Sequence, residues 1–111
     1  MKIYTRDNIE FRIKNVLDDL TSELVSKTKI VMIDIDHFEV IEREIIQRLD
    51  NLGFSGIIIL DDIHHPEPKQ RDAMQRWWNN LKYEKYDVTK YGHISGTGLI
   101  ILNSNIKINL I

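Results

Sequence analysis

The sequence contains no cysteine. That excludes disulfides, thiolate metal centres, iron–sulfur clusters and a cysteine nucleophile in one step. Proline is nearly absent, with two residues, and glycine is sparse, with five in 111 residues. No Pro/Gly-rich linker divides the chain, and its length suits one domain. Neither sign of charge dominates: 15 Lys and Arg stand against 17 Asp and Glu, a net charge of −2. This balance offers no basic field for nucleic acid and no polybasic surface for a membrane. The longest apolar run, around residues 56–60, is far short of the ~20 residues of a membrane span. The first residues lack the apolar core of a signal peptide, so the expected location is cytoplasmic. What is present, 42% apolar and 29% charged residues, is the composition of an ordinary globular domain.

Periodicity divides the chain into alternating elements. Ile9, Phe11 and Ile13 alternate with polar residues, which predicts a half-buried strand over 9–13. Leu17, Leu20, Leu24 and Val25 fall at helical spacing. Residues 29–35 are nearly all apolar and β-branched, as in a strand covered on both faces. Asp36 with Glu39 three residues on has the form of a helix start, and Ile41, Ile45, Leu49 and Leu52 form the stripe of a helix that Gly53 ends. A second buried strand follows over 56–61, then a loop at His64-His65-Pro66 and a helix over 69–81 carrying Trp77 and Trp78 on its apolar stripe. Strands are expected at 86–89, 99–102 and 106–110. The pattern predicts an α/β sandwich, its central strands parallel, with helices on both faces and a C-terminal antiparallel hairpin.

In open α/β sheets, ligands bind beyond the carboxyl ends of the parallel strands. Both central runs end in acid: Asp34-Ile-Asp36-His37 and Asp61-Asp62-Ile-His64. Neighbouring strands lie about 4.8 Å apart, so carboxylates at matching ends repel unless a cation lies between them. Oxygen donors of this kind suit a hard divalent ion such as Mg²⁺. Asp34, Asp61 and Asp62 are therefore the candidate ligands. His37 beside them is the candidate general base, since an ordinary histidine titrates near ~6.5. Each acid also has a plainer role: Asp36 as a helix cap, Asp62 as the cap of a turn. His64 and His65 either extend the site or face solvent. The glycine-punctuated segment 92–98 is either a tight connection or a ligand-facing loop offering His93, Ser95 and Thr97; no P-loop or nucleophile elbow is present.

Four stretches carry a family resemblance: Asn8-Ile-Glu-Phe-Arg-Ile with Leu17-Asp-Asp, MIDIDH over 32–37, GFSGIIILDDIH over 53–64, and YDVTKYGHISGTGL over 86–99. Residues 8–102 resemble the C-terminal half of a class I S-adenosylmethionine-dependent methyltransferase, of the metal-dependent O-methyltransferase kind. The resemblance implies a Rossmann-like sheet and methyl transfer to the hydroxyl of a small molecule, a sugar or a phenol. It also implies S-adenosylmethionine and Mg²⁺ or another divalent cation as cofactors. Asp34, Asp61 and Asp62 match the metal acids and His37 the base, while His64, Tyr91 and His93 are the candidate substrate contacts. The family's Gly-rich cofactor loop has no counterpart, because no glycine precedes Gly53. The chain is accordingly expected to be a partial domain. The alternative is a catalytically inactive module that associates with a partner chain, including a second copy, through an exposed sheet edge. For that edge, the strand at 9–13 is expected either to pair with 29–35 or to leave it for another chain.

Overall fold

The computed structural model describes residues 3–6 and 8–110. In chain order the elements are β1 (Ile3–Arg6), β2 (Ile9–Arg12), α1 (Val16–Asp19), α2 (Ser22–Lys27), β3 (Ile30–Ile33), α3 (Val40–Asn51), β4 (Gly56–Asp61), α4 (Pro68–Asn80), β5 (Glu84–Asp87) and β6 (Thr97–Leu102). A single 3₁₀ turn, Thr89–Tyr91, lies between β5 and β6. The two β-branched runs pair as parallel neighbours, with Ile30 opposite Ile57 and Ile33 opposite Leu60. The main sheet has the order β3-β4-β6-β5, and β6 is antiparallel to both of its neighbours. β3, β4 and β5 therefore point the same way and end on the same edge.

Alternation along the strands decides what is buried. Ile33, Ile58, Leu60, Ile100 and Leu102 join Ile45, Ile46 and Leu49 of α3, Met74 and Trp78 of α4 and Val25 of α2 in one core cluster. Gly98 has no side chain because the Trp78 ring occupies that place: a Cβ there would lie 2.6 Å from the ring. α3 and α4 thus share one face of the sheet, where helices on both faces were expected. The reason is directional. The crossovers β3-α3-β4 and β4-α4-β5 step the same way along the sheet, and the right-handed rule then puts both helices on the same side.

The strand at 9–13 joins Ile3–Arg6 in a separate antiparallel hairpin and neither enters the main sheet nor pairs with β3. The apolar spacing from Leu17 to Val25 is split into two short helices, because Asn15 and Thr21 each start a new one by accepting a backbone N–H. Residues 105–110 form no strand, although Ile106, Ile108 and Leu110 alternate. Alternation supplies a face, but a strand also needs a paired edge. β6 already has both edges filled, by β4 and β5. Among the described residues, no helix is long and apolar enough to cross a membrane.

Candidate functional site

The site forms where β3 and β4 end side by side. Past β3 the chain does not enter its helix at Asp36. It makes a loop in which Asp36, His37 and Glu39 all hold left-handed backbone angles (φ 42°, 64° and 72°), and α3 begins at Val40. Asp36 is therefore not the helix cap; Glu39 holds the N-cap position without a side-chain cap bond. Past β4, Asp62 is left-handed too (φ 58°). Such angles cost a non-glycine residue free energy, of order 1–3 kcal/mol in the less populated regions, and they gather at functional sites.

The effect of these turns is to aim His37 between the two strand ends. Its Nε2 lies 3.2 Å from Asp34 Oδ1 and 3.1 Å from Asp62 Oδ2. Neither ionised carboxylate has a hydrogen to give, so Nε2 carries the proton in this arrangement. Beneath it, the His37 backbone N–H donates to Glu42 Oε2 at 2.9 Å. Glu42 is 1% exposed, and among the described residues its Oε1 and His37 Nδ1 have no hydrogen-bond partner. The His65 ring stands 5.2 Å from that of His37.

The other oxygen of Asp62 faces a second group. Ser95 Oγ donates to Asp62 Oδ1 and accepts from His93 Nδ1, and His93 Nδ1 is itself 3.8 Å from Asp62 Oδ1. Among the described residues two sets of possible metal donors result, each with its atoms within 4.8 Å of one another: Asp61, Asp62 and His93, and His37, Asp62 and His65. Asp62 belongs to both. Asp34 belongs to neither and reaches Asp62 through His37. Its field is still felt: burial, then Asp62, then Asp34 push the Asp61 carboxyl up from its ordinary value.

The candidate substrate contacts divide. His93 is exposed and beside Asp62. Tyr91 is 57% exposed on the 3₁₀ turn, with Lys90 over its ring. His64 is engaged within the fold: Nε2 donates to Asp87 Oδ2 at 2.6 Å, and Nδ1 accepts from Gln75 Nε2 at 3.0 Å. Burial would raise the Asp87 carboxyl, but hydrogen bonds from Thr89 and His64 outweigh it and hold it low.

Glu42 was missed in the sequence, although the signal is there: 42, 45, 46 and 49 are the buried positions of α3, spaced as one helical face. Burial pushes its carboxyl above the ordinary 4.5. A raised folded value means the native state holds this proton more tightly than the unfolded chain does. The resulting stability is present below the ordinary value and is lost as pH rises through the folded one. Asp61 acts in the same direction. Urea unfolding across this range is expected to show stability falling with rising pH. Glu42→Gln, neutral throughout, removes part of that slope; an unchanged slope contradicts the assignment.

No protein-family model, curated protein or solved structure matches the chain.

Proposed function

We propose that the chain is the hydroxyl-activating part of an S-adenosylmethionine-dependent O-methyltransferase, acting on a small sugar or phenol, with a Rossmann-like ancestry for its sheet. The observation that carries this reading is His37 held between Asp34 and Asp62 at the ends of adjacent parallel strands. The antiparallel β5–β6 pair at the end of the sheet and the motifs at 32–37, 53–64 and 86–99 support it further.

The residues present fit a divalent cation. Burial first, and then the charges of Asp62 and Asp34, push the Asp61 carboxyl up; a positive charge placed among these acids relieves the repulsive part, and carboxylate oxygens suit a hard ion. Asp61 and Asp62 would hold it, with His93 completing that donor set. Such an ion, when bound, lowers the pKa of a coordinated hydroxyl and orients it. For His37 to accept the hydroxyl proton at Nε2, its own proton must sit on Nδ1, 3.9 Å from Glu42 Oε2. Ser95 and His93 hold Oδ1 of Asp62 in place.

The residues present do not fit S-adenosylmethionine. No glycine lies before Gly53, and the chain ahead of β3 forms a hairpin and two short helices instead of a strand–loop–helix cradle. No step is therefore assigned to the cofactor within this chain.

Catechol, the simplest phenol with two adjacent hydroxyls, tests the acceptor chemistry. Titrated into the protein with Mg²⁺, it is expected to give a saturable ultraviolet phenolate signal. The signal should need Mg²⁺ and be lost in Asp61→Asn. No Mg²⁺-dependent signal contradicts the proposal. Tight S-adenosylmethionine binding by this chain alone would overturn the statement about the cradle.

The second reading, a module that works by association, is favoured by a different observation. β3 lies at the sheet edge with Ile30 and Met32 61% and 65% exposed, where strands of this kind are normally covered.

A further inference from the structure

We infer that β3 pairs with β3 of a second copy of this chain, antiparallel about a two-fold axis through Val31. The inference goes beyond the methyltransferase reading and does not rest on it.

The backbone sets the register. The Lys29 carbonyl accepts from Ile57 N–H of β4 at 3.0 Å, and donors and acceptors alternate sides along a strand. Residues 29, 31 and 33 thus face β4, while the N–H and C=O groups of Ile30 and Met32 point out from the edge. A two-fold axis perpendicular to the sheet keeps each side chain on its own face, so opposed residues must be both even or both odd. Placing Val31 on the axis sets Ile30 opposite the partner's Met32, and Met32 opposite the partner's Ile30. All four outward groups of each strand's Ile30 and Met32 are then used in hydrogen-bonded pairs. The two most exposed apolar side chains of β3 also become cross-strand neighbours on one face.

Charge selects the same direction. Lys27 and Lys29 lead into β3, and Asp34 and Asp36 leave it, all of them exposed. Antiparallel pairing brings the basic end of each strand beside the acidic end of the other. Parallel pairing would set like charges together. The occupant that matches both the hydrogen-bond pattern and the charge order is this strand itself, and the resulting isologous contact closes as a dimer.

The absence of cysteine makes the register directly testable. Val31→Cys places two thiols across the axis, at the short Cα separation of a non-hydrogen-bonded pair, within disulfide reach. Lys29→Cys places them four residues out of register. Under mild oxidation Val31→Cys is expected to form a covalent dimer and Lys29→Cys at least tenfold less. Equal crosslinking, or crosslinking only at Lys29→Cys, overturns the register. Sedimentation of the unmodified protein should show its mass rising with concentration from 13.1 kDa towards twice that. Met32→Pro removes an outward N–H, and Ile30→Lys with Met32→Lys retains every N–H but charges the edge. Each is expected to weaken the dimer at least tenfold with the circular dichroism spectrum unchanged. A wild-type monomer at all concentrations, or a dimer that persists in the folded double-lysine variant, overturns the proposal.

Discussion

Trp78→Ala is expected to destabilise the fold by about 3–5 kcal/mol, the usual cost of removing a buried aromatic ring. Trp78 is 6% exposed and belongs to the core between α4 and the sheet. Its ring fills the place a side chain at Gly98 would take, so truncation opens a cavity that the neighbouring backbone cannot close. Trp77 is different. It is partly buried and lines a groove of about 470 Å³ with Ile46, Leu81 and Tyr83. Trp77→Ala should cost about 1–2 kcal/mol, less than a fully buried ring. Urea denaturation of the two variants checks the order. Equal losses, or a larger loss at Trp77, contradict the placement of the two rings.

The second large effect is expected at Asp62. Its Oδ2 faces His37 and its Oδ1 faces Ser95 and His93, so one carboxylate joins both halves of the site. Asp62→Ala removes the donor common to both candidate metal sets. It should weaken divalent-cation binding at least a hundredfold, roughly 2.8 kcal/mol at 1.4 kcal/mol per factor of ten. It also frees His37 Nε2 from one of its two carboxylates. Loss of affinity with an unchanged far-ultraviolet spectrum is the expected result. An Asp62→Ala protein that binds the cation as before would show that the ion is held elsewhere.

Much of this arrangement was legible in the sequence because it depends on local pattern. The runs at 30–33 and 56–61 are nearly pure apolar strands, and acids directly after them mark the ends where parallel strands offer a site. Three of the features that were not legible show the physical reason most clearly. The Asp36–Glu39 spacing has the form of a helix start, yet three left-handed residues hold the loop open and delay α3 to Val40; Asp and His only mildly favour such angles, too weakly to outweigh the helix-start pattern. His65 approaches His37 because β3 and β4 end side by side, and Ser95 approaches Asp62 because β6 is inserted beside β4; both are properties of topology. The strand expected over 106–110 fails because no edge of the sheet is left beside β6, which a one-dimensional pattern does not record.

The most direct test of the account is a calorimetric titration of Mg²⁺, and of Mn²⁺, into the wild-type chain and into Asp61→Asn. Asp61 is the carboxyl that burial, and then Asp62 and Asp34, push up, so a bound cation should displace its proton. The account predicts one saturable site in the wild type, with proton release that grows as the pH is lowered towards the raised value of Asp61. In Asp61→Asn it predicts affinity at least tenfold weaker and that proton release lost. Equal affinity and equal proton release in the two proteins would contradict it.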